Sequence, residues 1–412
     1  MAKRFPQTAF IGLTKSLQTE WTYLQRVQPG IEEHFRPIED ALVNNFIPAL
    51  LGDTAPTNAQ ALRNLLALPC RFGGLGIPDP CTTAERQLAN SMELTQPLTD
   101  SLLARTDLPV GNYRVHAQSV TAAAKKRRKD ELTAALENYM QDKSRYQQRR
   151  IKRSQDCGSW LTTMPSRLNG TELSPTEFRD GLRLRYGLTP QNLPDQCDGC
   201  HERFTVDHAM SCRRGGLIIQ RHDDIKLEFQ QLCAYAYKPS VVSNEPIIPQ
   251  VRTQQLVNGQ VRMVDPPEKR GDIAVHGFWT PGTTAIFDIR VTDTDARSHR
   301  DRDPIKVLTA QEREKKNKYK EACLQARKHF TPLVFSIDGM FSKETAAACK
   351  NNVAYRLAEK WKHPYSMVAG MVRARHTVAL VRSTSRCLRA ERYRTPYHPL
   401  EWIEGAGLRL FR

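Results

Sequence analysis

The feature that most constrains this 412-residue sequence is a group of four potential metal ligands near its middle. Cys197, Cys200, His208 and Cys212 follow the spacing Cys-x2-Cys-x7-His-x3-Cys. Three thiolates and one imidazole are a ligand set of closed, tetrahedral structural zinc sites. Two cysteines separated by two residues bind one ion from a tight turn, and residues four apart share a helix face. We therefore predict a Zn²⁺ knuckle here; the alternative is that these thiols are unrelated.

The net charge of the chain predicts a polyanionic partner. Lys and Arg number 61 against 44 Asp and Glu, which gives a formal charge of +17. Cationic side chains that bind phosphates release counterions, so nucleic acid is the expected partner. We find no apolar run of membrane-spanning length and no signal segment behind Met1, and the ten cysteines are too scattered for a disulfide framework. We expect an intracellular protein, with basic runs typical of a nuclear one.

The first half of the chain has the apolar spacing of helices. From Thr8 to about Leu103, apolar residues recur at helical intervals, interrupted at Leu68–Pro80 by a glycine- and proline-rich segment that predicts a rigid loop. The basic stretch Ala122–Arg153 predicts one long exposed helix, either a phosphate-binding surface or a solvated linker. Trp160–Leu188 is also expected to be helical.

After Cys212 the pattern alternates between helix and strand. Such an order predicts an α/β domain with a mixed central sheet, and an α+β chain overall. The predicted helices are Leu217–Tyr235, Thr309–His329 and Lys343–Lys362, and the predicted strands are Ser240–Ile248, Asp272–Trp279, Thr284–Val291 and Leu333–Ile337.

Two aspartates on neighbouring predicted strands are candidate metal ligands. Asp272 opens one strand, and Asp288 lies inside the apolar strand that follows. An ionised aspartate among apolar neighbours is costly unless a partner compensates its charge. If the strands pair through a turn at Thr280–Gly282, the two carboxylates lie at the same end of the sheet, where one Mg²⁺ can bind both. The alternative is a strand-start cap at Asp272 and an arginine partner for Asp288.

Cationic residues on the following predicted helix are candidates for the catalytic base or charge stabiliser. Lys315 and Tyr319 lie four residues apart, with Lys318 one step around the helix. A lysine near a bound cation can orient the attacking water or stabilise charge on the phosphate. The alternative is a solvated helix face.

The helix before the sheet offers further candidates. It contains the run Arg221-His222-Asp223-Asp224, and Glu228 falls on the same face as Asp224. Either Glu228 or Glu245 is a candidate for an additional carboxylate at the metal, and the sequence does not choose between them.

Together these motifs resemble the C-terminal half of non-LTR retrotransposon proteins of the restriction-like-endonuclease type. The resemblance spans nearly the whole chain and implies four parts: a helical thumb-like region (1–118), a basic helical linker (119–190), a CCHC zinc knuckle (191–216) and a PD-(D/E)xK-type endonuclease domain (217–412). The knuckle residues match the family's CCHC pattern. In the nuclease, the matching positions are Arg221, His222, Asp223, Asp272, Asp288, Lys315, Lys318 and Tyr319.

Two positions depart from the family pattern. Gly271 stands where a proline usually precedes the first aspartate, and Arg290 replaces the lysine of Asp-x-Lys. The lysine role would then fall to Lys315 or Lys318. Because arginine stays protonated, it neutralises charge but is no base.

The resemblance implies Mg²⁺-dependent nicking of target DNA, which primes the copying of retroelement RNA. No polymerase Tyr-x-Asp-Asp or Phe-x-Asp-Asp motif occurs, so we expect a truncated copy or a fragment that is no polymerase. The alternative function is a catalytically inactive module that binds nucleic acid.

Overall fold

The chain folds into two compact units. The computed structural model describes residues 1–248, 253–257, 260–264 and 268–392, of which 253–257 and 260–264 are described by their backbone alone. Unit 1 comprises Met1–Pro165 with Arg185–Gly187, and unit 2 comprises Ser166–Leu184 with Leu188–Arg412. Across the described ranges, no helix combines the length and apolar character needed to cross a bilayer. The division into four functional parts stays a prediction.

Unit 1 is helical, which confirms the prediction for Thr8–Leu103. Short π-helical and 3-10 turns join several of its helices. Its helices are α1 (Pro6–Gly12), α2 (Gln18–Val27), α3 (Arg36–Ala41), α4 (Ile47–Leu51), α5 (Thr57–Ala67), α6 (Pro80–Ala104), α7 (Val110–Gln141) and α8 (Arg145–Gln155).

The predicted rigid loop at Leu68–Pro80 is present, and it folds back on α5. The amides of Leu75 and Ile77 both donate to the carbonyl oxygen of Leu66, at 3.1 and 3.2 Å. A Cβ atom at Gly74 would lie 1.9 Å from the carbonyl oxygen of Leu68, so only glycine fits this close approach. The loop ends at Asp79, whose side chain accepts from the amide of Cys81 and caps α6.

Two helix predictions in the first half were wrong in extent. The basic stretch is not one helix, because α7 ends at Gln141 and Ser144 starts α8 with a capping box. Only the end of the predicted helix Trp160–Leu188 is α-helical, as α9 (Pro175–Tyr186). Its start is set by a second capping box, in which the backbone and side chain of Ser174 pair with those of Glu177.

Unit 2 is built on a small mixed sheet, as predicted. The four-stranded sheet has the order β1-β6-β7-β8; β6 and β7 form an antiparallel hairpin, and β7 and β8 are parallel. The pairs β2-β5 and β3-β4 are separate. The strands are β1 (Val242–Asn244), β2 (Ile247–Ile248), β3 (Thr253–Val257), β4 (Gln260–Val264), β5 (Lys269–Arg270), β6 (Ile273–His276), β7 (Thr284–Thr292) and β8 (His329–Ser336).

Helices cover both faces of this sheet. On one face, Phe287 and Phe335 share a core with Phe229 of the helix that precedes the sheet. On the other face, Ile286 packs with Tyr319 and Cys323 of the helix between β7 and β8. The remaining helices of unit 2 are α10 (Val206–Ser211), α11 (Leu217–Ala236), α12 (Pro304–Gln325), α13 (Lys343–Ala347), α14 (Tyr355–Trp361) and α15 (Tyr365–Arg389).

The elements of unit 2 differ from the predicted ones in several places. The predicted strand Ser240–Ile248 is broken at Glu245, whose positive φ of 46° and following proline separate β1 from β2. The helix predicted to reach His329 ends at Gln325, and His329 already belongs to β8. The sequence analysis also missed α15, which packs against α11.

Candidate functional site

The four predicted metal ligands come together in unit 2. Their ligand atoms all lie within 4.8 Å of one another. The Sγ of Cys212 lies 3.9 Å from that of Cys197 and 4.0 Å from that of Cys200, and the Sγ of Cys200 lies 3.4 Å from Nε2 of His208. Zn–S bonds of about 2.3 Å in a tetrahedron put sulfur atoms roughly 3.8 Å apart. The cluster therefore fits a metal ion such as zinc.

Local structure holds these ligands in place. Cys197 and Cys200 flank a turn, and the side chain of Thr205 caps α10, which carries His208. The Nδ1 of His208 lies 3.2 Å from a carboxylate oxygen of Glu202, an outer contact that fixes the ring so that Nε2 faces the thiols. Burial raises the pKa of Cys197, but the amide of Gly199 and other donors outweigh it and lower that pKa to about 6.

The two predicted aspartates line one cleft at the end of the β6-β7 hairpin. We call it the aspartate cleft; it has a volume of about 290 Å³. The amide of Asp272 donates to the carbonyl oxygen of Phe287, so Asp272 lies beside Asp288 in the antiparallel register. The cleft is lined by Ile218, Arg221, His222, Asp272, Asp288, Ile289, Arg290, Val291 and Lys315.

Gly271 is needed at the start of this hairpin. A Cβ atom there would lie 2.4 Å from the Cγ2 atom of Ile286 on the neighbouring strand. Glycine is thus the residue that this packing accepts at position 271.

His222 and a backbone amide bind Asp272. The Nε2 of His222 lies 3.2 Å from Oδ2 of Asp272, and its Nδ1 lies 3.0 Å from Oδ1 of Asp223. Burial lowers the pKa of His222, but the two carboxylates outweigh it and raise that pKa to about 9. Burial raises the pKa of Asp272, but His222 and the amide of Ile289, which donates to Oδ2 at 2.5 Å, lower it overall.

Lys315 binds Asp288 from α12. Its Nζ lies 2.5 Å from Oδ2 of Asp288, whose side chain is nearly buried. Burial raises the pKa of Asp288; Lys315 opposes this effect, and the neighbouring charge of Asp272 adds to it. Two neighbouring carboxylates, of which Asp272 raises the pKa of Asp288, are thus held in one cleft with a lysine.

Several predicted site residues lie elsewhere. Glu228 faces α15 and binds Arg375 at 2.5 Å, and Glu245 binds Lys226 at 3.0 Å; neither lines the aspartate cleft. Tyr319 is buried against Phe330 in the core below the sheet. We therefore withdraw Glu228 and Tyr319 as site residues.

The remaining two candidates are less central. Lys318 is exposed, with its Nζ 4.7 Å from the ring centre of Tyr319, and does not line the cleft. Arg290 lines the cleft, but its guanidinium binds Glu314 at 2.9 Å. Of the two lysines that the sequence left open, the structure places Lys315 in the cleft.

Arg221, which the sequence analysis singled out beside His222, connects the aspartate cleft to the cysteine and histidine cluster. Its buried guanidinium donates to the carbonyl oxygen of Met210 at 3.3 Å, two residues before the ligand Cys212. The knuckle also packs on the end of α15 through Cys387 and Leu388. The run Arg221-His222-Asp223 marked this residue in the sequence, but nothing there indicated its contact with Met210.

Comparison with known proteins adds no identity. No model of a known protein family matches the chain, and no curated protein matches it. The function is therefore argued from the geometry of its residues.

Proposed function

We propose that this chain is a Mg²⁺-dependent DNA endonuclease with a restriction-like, PD-(D/E)xK-type domain in unit 2. The observation that carries the proposal is the convergence of Asp272, Asp288 and Lys315 in one open cleft. Paired carboxylates bind hard divalent cations, and a nearby lysine stabilises charge on a phosphate. Metal-dependent phosphodiester hydrolysis needs both the cation site and the charge-stabilising lysine.

The carboxylates of the aspartate cleft suit a divalent cation. The contacts described above use Oδ2 of Asp272 and of Asp288, and among the described residues no hydrogen bond reaches either Oδ1 atom. These two oxygens, with water as further ligands, are the donor set that Mg²⁺ prefers. A bound Mg²⁺ would supply Lewis-acid activation of water and of the phosphate.

Side chains of the protein would orient the metal ligands and stabilise the negative charge on the phosphate. Asp272 is fixed by the amide of Ile289 and by His222, so its carboxylate is already oriented. Lys315, which binds Asp288 from α12, would stabilise the negative charge that develops on the phosphate. In hydrolysis, the water oxygen bonds to phosphorus, the phosphorus–oxygen bond of the leaving strand breaks, and the leaving oxygen takes a proton.

On the resemblance of the sequence to non-LTR retrotransposon proteins, we propose that this reaction serves retrotransposition. On that reading, the substrate is a target DNA strand, the nick leaves a 3′-hydroxyl, and retroelement RNA is the second partner. The fit of the knuckle to zinc and the net positive charge support nucleic acid as the partner.

One observation favours a second candidate, an inactive nucleic-acid-binding module. Lys315 and His222 already neutralise the two aspartates, and Arg290 occupies the position of the usual lysine. A cleft whose charges are balanced in this way is stable without a cation.

Nicking of supercoiled plasmid with Mg²⁺ separates the two candidates. We expect the wild type to nick, and Asp288→Asn to lose at least about a hundredfold in rate because one metal ligand is gone. The matched control is Asp301→Asn, the same change at an exposed aspartate outside the cleft, which should nick like the wild type. Equal rates for all three proteins reject the proposal.

A lysine pair tests the role of Lys315. Lys315→Met should slow nicking by about a hundredfold through loss of charge stabilisation. Lys316→Met is the control, because Lys316 binds Glu344 and does not line the cleft. If both variants slow nicking equally, α12 contributes only general positive charge.

A further inference from the structure

Unit 1 contains a second cleft, separate from the knuckle and the aspartates, that carries positive charge. We call it the basic cleft; it has a volume of about 430 Å³ and lies between α6 and α7, with Arg26 of α2 at its edge. Arg86 enters it from α6, and Lys125 and Arg128 enter it from α7. Among the residues that line it, none carries a carboxylate.

The positive charge in the basic cleft is only partly balanced within the protein. Arg86 binds Glu131 at 3.0 Å. Glu131 is also an acidic neighbour of Arg128, so two arginines share one carboxylate. Partial desolvation lowers the pKa of Arg128, and the nearby charge of Arg86 lowers it further. Cations held close together without matching anions are stabilised by an anionic ligand.

The helix spacing makes these side chains one continuous surface. Thr121, Ala124, Lys125 and Arg128 recur at three- and four-residue intervals, so they share one face of α7. The facing wall of α6 presents the polar side chains of Gln87, Asn90 and Ser91 beside Arg86, with apolar Leu94 further along. The cationic side chains would bind the phosphates of a nucleic-acid backbone. The polar and apolar side chains between them would contact its sugars.

We propose that the basic cleft binds the phosphodiester backbone of a single nucleic-acid strand. Four cationic side chains in one groove match a repeating polyanion better than an isolated phosphate. The volume lies in the range of about 300–1,000 Å³ typical of small-ligand sites, which suits one strand and is too small for a duplex. This site is independent of the proposed nuclease, because it binds without Mg²⁺ and involves none of the cleavage residues.

Fluorescence anisotropy with labelled oligonucleotides tests the proposal. The probes are a single-stranded DNA, a single-stranded RNA of the same length, and a DNA duplex, with the zinc-loaded full chain and no added Mg²⁺ or chelator. We expect Lys125→Gln/Arg128→Gln to weaken single-strand binding by about tenfold or more, and to reduce the slope of log affinity against log salt by roughly 1.4, since two phosphate contacts are lost.

Matched changes on the same helices serve as controls. Lys126→Gln/Lys129→Gln removes the same charge from exposed positions of α7 outside the basic cleft and should cost less than about threefold. Ser91→Glu adds a carboxylate to the α6 wall and should weaken binding without removing any cation, whereas Met92→Glu, exposed and outside the cleft, should not. This second pair keeps the test valid if the double variant fails to fold.

Three results would overturn the proposal. Equal losses for the cleft variant and its α7 control would show that only total charge matters. Unchanged single-strand binding by Ser91→Glu would show that the cleft is not occupied. A loss confined to the duplex probe would assign the surface to double-stranded DNA. Loss with both single-stranded probes, or with one of them, supports the proposal and identifies the strand chemistry.

Discussion

At the scale of single residues, unit 2 keeps several polar groups inside its core only because each has a specific partner. Asp180 is nearly buried and accepts from Ser385 at 2.7 Å and from Arg389 at 2.6 Å. A buried carboxylate without such partners would be strongly destabilising. The same requirement applies to Asp288, whose nearly buried carboxylate is paired with Lys315.

His376 differs from Asp180, because one side of its ring lacks a partner among the described residues. Its Nδ1 contacts the carbonyl oxygen of Val372 at 2.9 Å, but its fully buried Nε2 has no hydrogen-bond partner within the described part of the chain. The ring stacks on Phe335 at 5.5 Å. Burial lowers the pKa of His376; Glu228 opposes this effect and Arg375 adds to it.

This burial predicts an acid-sensitive core. The unfolded chain takes up a proton at His376 near pH 6.5, whereas the folded chain does so only at lower pH. The free energy of unfolding should therefore fall as the pH drops below about 6.5. His376→Phe keeps an aromatic ring but cannot take up this proton. Urea unfolding at pH 7.5 and 5.5 should therefore show a smaller loss of stability in this variant than in the wild type.

His276→Phe is the control for this effect, because His276 is exposed. It should keep the pH dependence of the wild type. An unchanged pH dependence in His376→Phe would mean that the acid sensitivity arises elsewhere.

At the scale of elements, short glycine segments decide where helices and strands begin. The loop between α5 and α6 folds back so closely that Gly74 touches the backbone of Leu68. Gly271 allows β6 to start beside Ile286. In both places a side chain would displace the element that follows.

Gly74→Ala should therefore destabilise unit 1. The added methyl group would meet the carbonyl oxygens of Leu65 and Leu68 at 2.4 and 1.9 Å, which the backbone relieves only by moving. We expect a loss of more than about 2 kcal/mol in unfolding free energy. Gly111→Ala, where nothing lies within 4 Å, should be neutral or stabilising by up to about 1 kcal/mol. Similar unfolding midpoints for the two variants would contradict this account of the loop.

The sequence predicted those parts of the site that local spacing determines. The cysteine and histidine intervals alone located the metal-binding cluster, and the apolar strands around Asp272 and Asp288 located the hairpin. The sequence-based prediction failed where tertiary packing determines which face of a helix lies at the site. Glu228 lies on the face of α11 that meets α15, and α15 itself had not been identified.

The same limit explains Tyr319 and Lys315. Both lie on α12 four residues apart, yet Tyr319 packs against Phe330 whereas Lys315 binds Asp288 in the middle of β7. Only the position of α12 along β7 and β8 separates these outcomes. Two other errors could have been avoided from the sequence alone. Ser144 with Gln147 is a capping box that marks a new helix start, and Pro246 after Glu245 marks a break in the strand.

At the scale of the whole molecule, unit 2 links the knuckle, α15 and the aspartate cleft. The amide of Arg392, just after α15, donates to Asp198 beside the first two cysteines at 2.5 Å. Arg221 connects the knuckle helix to α11, which carries His222. A metal ion in the knuckle would therefore stabilise more than its own loop.

Loss of the metal should weaken all of unit 2. We expect Cys200→Ser to lose bound zinc and to lower the unfolding free energy of unit 2 by more than about 4 kcal/mol, with earlier amide exchange at the end of α15. Mass spectrometry measures the zinc, and hydrogen exchange measures the protection. Cys70→Ser, which changes a thiol of unit 1, should keep both. Full protection of α15 in zinc-free protein would contradict this link.

The central claim is that Asp272 and Asp288 bind one divalent cation, and Mn²⁺ binding tests it most directly. Electron paramagnetic resonance of the zinc-loaded chain should show stoichiometric Mn²⁺ binding that Mg²⁺ displaces. Asp272→Asn/Asp288→Asn should abolish it, whereas Asp301→Asn should bind like the wild type; circular dichroism checks that each variant is folded. Undiminished Mn²⁺ binding by the folded double variant would contradict the account.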